Sequence, residues 1–231
     1  SLRITVAPGI ARELENRYQL PTGAIQVIRN APERVLRTPE ALNLQSLKRS
    51  AEDVLVAYSG RITKHRLLSQ LVDAVARLDF GVKVVLVGYG EKTDIERIFA
   101  QAKASGVGIS VVGPVPFNAV VATLSTADIV FVGVDPVVPS YQLSSPNKLY
   151  EALLSGRPVV LPALPEILRV TQGLPGVFSF NPVVAYDLDR QLIEAVSHAG
   201  EDAFHRKVTT WTEESELLQH HYAAMCHEIL S

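Results

Sequence analysis

Apolar runs at 54–57, 84–87, 109–112, 129–132, 159–161 and 177–180, with helix-spaced segments such as 67–78 between them, predict a doubly wound α/β fold on a parallel sheet. The runs lack the strict alternation of a half-solvated strand, as expected where helices cover both faces of a sheet. Glycine turns follow the first three, at Gly60, at Gly88 and Gly90, and at Gly113. In this architecture ligands bind at the carboxyl ends of the strands, so these turns should cluster around one site.

Residues 1–32 differ in kind. A strand over 3–7, a helix over 10–18 and a strand over 25–29, followed by Asn30, Ala31 and Pro32, form a small βαβ fragment with a boundary near Pro32. A polar, helix-prone connector over 33–53 leads to the main sheet, whose domain runs over 33–210. Residues 211–231 close the chain. There Leu218, Tyr222, Met225 and Ile229 fall on one helical face, predicting an amphipathic helix over 213–230, just after Trp211, that needs a partner surface.

The most informative stretch is SSPNKLYEALLSGRPVV, 144–160. Ser144 or Ser145 suits a helix cap, Pro146 the first helical position, and Gly156 followed by Arg157 and Pro158 a helix stop. The free N–H groups at the start of such a helix favour an anion such as a diphosphate. Lys148 in the first turn opposes the helix dipole unless an anion lies beside it. Glu151, one turn on, lies near enough to the same end to accept hydrogen bonds from a ribose diol. An ordinary amphipathic helix with Lys148 and Glu151 solvated also fits.

YSGRITKHR, 58–66, puts Gly60 at a turn after the first main strand, then Arg61, Lys64 and Arg66 before a helix. Gly60 permits close backbone approach, and an arginine fork matches phosphate oxygens. A solvated basic helix start fits equally well. VLVGYGE and VVGPVPF read as strand-end turns flooring a cleft, with the backbone near Val115 available to a base edge. Gly88 and Gly90 lack the third glycine and the later acidic residue of a dinucleotide fingerprint, which excludes a nicotinamide site.

With 47% hydrophobic residues, the chain can bury a large core. A net charge of -2 without a long basic run argues against a nucleic-acid partner. Cys226 is alone, so an intrachain disulfide is excluded and a reducing, cytoplasmic setting is expected. No apolar run reaches the roughly 20 residues of a membrane span. His220, His221 and His227 gather near Cys226, but their spacing does not suit a closed metal site. Hydrolase-elbow and P-loop motifs are missing as well.

Taken in order, GRITKHR, VLVGYGE, VVGPVPF, STADIVFVGV and SSPNKLYEALLSGRPVV resemble the C-terminal half of retaining nucleotide-sugar glycosyltransferases of the GT-B fold, the group related to glycogen synthases and bacterial mannosyltransferases. The five motifs cover most of 54–161, and RITVAPGIARELENRY with VIRNAPE resembles the stretch joining the two halves. The resemblance implies that 33–210 is a Rossmann-like donor domain, that 1–32 closes a missing acceptor-binding half, and that 211–231 crosses back to it.

The resemblance further implies that Arg61 and Arg66 stabilise the donor diphosphate, Arg66 standing where the group usually carries lysine. Glu151 would bind the ribose, the Val115 backbone the base, and the amides of Ser145, Asn147 and Lys148 phosphate or sugar, with Gly60, Lys64 and Leu149 completing the donor site. The partner would be a nucleotide sugar, transferred with retention and without metal or other cofactor; peripheral membrane contact through the missing half stays open. Leu143 stands where the group often has a second glutamate, eight positions before Glu151. That departure keeps a non-catalytic nucleotide-binding module open beside the transferase. A GT-B epimerase is the third reading, and it would need cleft carboxylates for proton transfer.

Overall fold

The computed structural model describes residues 2–200 and 203–230, the side chains of 228–230 excepted. The N-terminal fragment is a two-stranded parallel sheet, β1 (Ile4–Thr5) with β2 (Gln26–Val27), joined by helix α1 (Pro8–Arg17). Its strands are shorter than their apolar character predicted, because among the described residues β1 and β2 pair only with each other.

The main sheet comprises β3 (Val54–Ile62), β4 (Val82–Gly90), β5 (Gly108–Val112), β6 (Ile129–Phe131), β7 (Val159–Pro162) and β8 (Val177–Phe180). All neighbours are parallel, in the order β5-β4-β3-β6-β7-β8. The chain therefore reverses its direction of winding between β3 and β6, the place where doubly wound sheets open a crevice. Alternate residues of each strand feed opposite cores. Val56, Val84 and Leu86 pack with α2 (Leu68–Ala76), α3 (Lys92–Ala104) and α8 (Asp187–Ser197). Leu55, Ala57, Val85 and Val87 pack with α4 (Val120–Leu124), α6 (Asn147–Leu154) and α7 (Pro165–Thr171). Burial on both faces explains the unbroken apolar runs. A short helix α5 (Pro139–Leu143) precedes α6.

The connector over 33–53 is not an α-helix; its only helical part among the described residues is a 3-10 turn at Leu44–Leu47. Its backbone is held by side chains instead. Thr123 Oγ1 accepts from Leu42 N at 3.1 Å, Thr126 Oγ1 accepts from Leu44 N at 2.9 Å, and the Leu44 side chain is fully buried. Partners fixed on another element replace the i→i−4 ladder, so helix propensity loses.

The closing helix α9 (Trp211–Leu230) begins at Trp211 itself. Glu214, 2% exposed, accepts from Arg29 N at 2.8 Å and Arg29 Nη1 at 3.1 Å, tying α9 to the N-terminal fragment. Leu218 and Met225 are half-buried and Tyr222 is exposed, while the Ile229 side chain lies outside the described residues. Buried Arg206 is a further tie that its position in the sequence does not announce. Its guanidinium donates to the carbonyls of Leu153, Arg157, Pro175 and Gly176 at 2.7 to 3.0 Å, and burial pulls its pKa down to about 10.

Candidate nucleotide-binding site

Gly60 is not a turn residue. β3 continues through Ile62 because β4 extends alongside it to Gly90, with Gly60 opposite Gly88. A Cβ on Gly88 would lie 2.0 Å from the Gly60 carbonyl oxygen, and Gly60 itself has φ +132. Only glycine fits this close approach, which floors a cleft of about 180 Å³ lined by Ser59, Gly60, Tyr89, Val115, Phe117 and Lys148 among others. Val115 is thus in the cleft, as its sequence position suggested. Tyr89 and Phe117, each 60% exposed, add aromatic surface that the motif reading missed.

The start of α6 borders the cleft differently from expectation. Asn147 is its first residue, Pro146 is the flanking residue, and no side chain caps it. Ser145 is buried and spends its hydroxyl on Tyr150, Oγ to Oη 3.0 Å. Asn147 is half-buried, whereas Leu149 belongs to the core and presents only backbone to the site. Gly156, at φ +77, ends the helix as predicted.

Glu151 is fully buried and faces β3. Lys148 Nζ donates to both of its carboxylate oxygens at 3.0 Å, and Ser59 Oγ donates to Oε2 at 3.1 Å. The anion that offsets Lys148 in the first turn is therefore Glu151, three residues on. Lys148 and Ser59, the two side chains that hold the carboxylate, line the cleft, and Glu151 itself does not.

The three cations of 61–66 do not converge. Arg61 leaves β3 toward exposed Glu91, Nη2 to Oε1 3.4 Å, and Lys64 is exposed. Arg66 lies with its guanidinium 5.0 Å from the ring centre of Tyr141, and its buried Nε–H has no acceptor among the described residues. Gly133, after β6, makes room: a Cβ there would meet the Arg66 carbonyl oxygen at 1.8 Å. Arg66 and Glu151 both act on buried Tyr58, whose hydroxyl donates to the Arg61 carbonyl at 2.8 Å. Burial pushes the Tyr58 pKa up, with Arg66 opposing.

Leu143 ends α5 half-buried, and α1 packs directly on it; a Cβ on Gly9 would lie 2.6 Å from the Leu143 carbonyl oxygen. Arg12 of α1 reaches Glu166 of α7 at 2.7 Å in the same contact. The side chains that hold the site, Ser59, Tyr58 and Tyr141, were missed because nothing in their spacing marks them. Among the described residues no cluster of three His, Cys, Asp or Glu suits a metal ion, and no helix is long and apolar enough to cross a membrane.

A six-stranded parallel sheet flanked by helices, with a glycine-floored cleft at the strand ends, defines a Rossmann-like domain matching one half of a GT-B fold. Residues 53–202 match the profile of the family Glycosyl transferases group 1, and the chain belongs to that family. No curated protein matches the sequence. Among solved structures it is similar to sucrose-phosphate synthase from Thermosynechococcus elongatus, with TM-score 0.71 and 19% identity over 97% of this chain and 58% of that one. It is also similar to Anabaena HepE in complex with UDP-glucose, with TM-score 0.73 and 16% identity over 97% and 64% of the two chains. A glycosyltransferase from Rickettsia africae gives TM-score 0.68 and 15% identity over 87% and 55%. The chain thus spans 55% to 64% of the length of these structures.

Proposed function

We propose that this chain is the donor-binding half of a glycosyltransferase that takes a nucleoside-diphosphate sugar and transfers the sugar with retention and without a metal. Family membership supports the transferase class, and HepE, crystallised with UDP and with UDP-glucose, supports a nucleotide sugar as ligand. The observation that carries the reading is Arg66. A buried guanidinium N–H without an acceptor costs about 1–3 kcal/mol, and a phosphate oxygen would satisfy it. The base would enter between Val115 and the aromatic surfaces of Tyr89 and Phe117, with the diphosphate toward Lys148, Arg66 and the first amides of α6. Glu151 would meet the ribose after Lys148 turns to the phosphates. Arg61, paired with Glu91, would swing to the leaving diphosphate.

Charge developing on the departing diphosphate would be opposed by these cations, each such contact contributing about 3–4 kcal/mol in comparable sites. The acceptor, and the polar groups that orient it, would come from a second half. The alternative of a binding module rests on Leu143, whose side chain offers the donor sugar no carboxylate. No carboxylate lines the cleft among the described residues, which disfavours the epimerase.

Calorimetric titration with UDP, GDP and ADP, each with and without EDTA, tests the proposal. Binding of one or more diphosphates, unchanged by the chelator, is expected. Failure of all three would remove the donor site, and loss on chelation would remove the metal-free reading.

A further inference from the structure

A second cavity, of about 230 Å³, opens where three distant parts of the chain meet. Arg29 follows β2, Arg169 lies on α7, and Lys207 and Thr209 belong to the segment that enters α9; all four line it, with Tyr150 of α6. It shares no lining residue with the cleft at Gly60 and Gly88.

Two of its three cations are held from behind. Arg29 Nη1 donates to Glu214 Oε1 at 3.1 Å, and Arg169 donates to Glu166 Oε2 through Nε at 3.2 Å and Nη2 at 2.8 Å. Glu166 also accepts from Arg12, and Glu214 from Thr209 Oγ1 at 2.9 Å. Lys207 is exposed and has no hydrogen-bond or ion-pair partner among the described residues. Three cations, Arg29, Arg169 and Lys207, thus line the cavity before two carboxylates, Glu214 and Glu166, leaving among the described residues a surplus of one positive charge at its wall, while Arg12 adds a further cation on Glu166 outside the lining. Burial raises the pKa of the Tyr150 hydroxyl, which therefore stays neutral at ordinary pH.

A positive wall, guanidinium groups fixed before any ligand arrives and a single partnerless ammonium match one compact anion, and a phosphate dianion most directly. We propose that this cavity binds a phosphate dianion, free or as the head of a phosphomonoester, apart from the nucleotide cleft.

The test follows the thermal midpoint of the chain against inorganic phosphate and glycerol 3-phosphate, with chloride at matched ionic strength as the control. Co-sedimentation with phosphatidylcholine vesicles, with and without phosphatidic acid, distinguishes a lipid head from a soluble phosphomonoester. A phosphate-dependent rise is expected in the wild type, weakened about tenfold or more in apparent affinity by Lys207→Ala and retained by Lys207→Arg. Lys207 has no partner to lose, so the alanine variant keeps its fold. No rise in the wild type, no phosphatidate dependence and no glycerol 3-phosphate effect together overturn the proposal. So does a rise that survives Lys207→Ala unchanged, since the anion then sits elsewhere. UDP affinity, read in the same samples, is expected to be indifferent to Lys207→Ala, so failure here leaves the nucleotide reading standing and failure of UDP binding leaves this one.

Discussion

Glu151→Ala separates a ligand-contacting carboxylate from one that also holds the site together. A carboxylate that only met the ribose would give a variant that binds nucleotide weakly yet melts normally. The structure demands more. Removing the carboxylate strands the hydroxyl of Ser59, itself 4% exposed, at a cost of about 1–3 kcal/mol for an unpaired buried group. Loss of the buried stem adds about 1 kcal/mol at roughly 0.8 kcal/mol per methylene. Lys148, whose side chain is 33% exposed, can turn its ammonium to water, so its loss adds little. The total of about 2–4 kcal/mol corresponds to a midpoint lowered by roughly 5–15 °C for a chain of this size. Glu151→Gln keeps the volume and an acceptor for Ser59 and should lie between the two. Melting followed by circular dichroism, with urea unfolding beside it, measures the effect. An alanine variant within about 2 °C of wild type would refute the structural role and leave only the ribose.

Gly88→Ala should destabilise by about 1–3 kcal/mol and weaken UDP binding together, since its methyl group collides with the Gly60 carbonyl that floors the cleft; urea unfolding and calorimetry read the pair. Burial raises the Glu166 pKa, but hydrogen bonds and charge from Arg169 and Arg12 outweigh it and hold the carboxyl below its ordinary 4.5. Its contribution is therefore complete above about pH 4.5 and lost as pH falls through the lowered native value, so the stability gap between wild type and Glu166→Gln should narrow in acid melts below that pH. Arg66→Ala should narrow the affinity gap between UDP and UMP more than Lys64→Ala does, with Arg66→Lys milder than Arg66→Ala; an unchanged gap for Arg66→Ala leaves Arg66 only its packing against Tyr141.

The sheet was legible because its central strands, β3, β4, β6 and β7, are largely buried on both faces, which leaves short continuous apolar runs between helix-spaced segments. Strand ends were less so. Gly60 reads as a turn from its identity, yet the register opposite Gly88 keeps it in a strand, and register is a property of two segments. Ser145 reads as a cap, but Tyr150 claims its hydroxyl. The connector reads as helical until Thr123 and Thr126, some 80 residues on, take its amides. The motif singles out Lys148 and Glu151, while their mutual contact and the burial of Glu151 depend on Ser59 and β3 and are not legible in it.

That contact also bears on how the cleft can fill. Lys148 and Glu151 satisfy each other, so a neutral ribose alone has nothing to offer Lys148 in exchange for its carboxylate. On the proposed function a diphosphate would, by bringing an anion to the same ammonium and to the unsatisfied Nε–H of Arg66. The ribose can then reach a carboxylate that the phosphates have uncovered. The two halves of a nucleotide would be coupled on this arrangement, and uridine should bind more weakly than its base and ribose contacts alone imply. Lys148→Met should remove that coupling and bring uridine closer to UDP, by exposing Glu151 without a diphosphate. If uridine and UDP instead lose affinity in equal proportion in that variant, Lys148 and Glu151 do not trade partners and the pair is a fixed wall of the cleft.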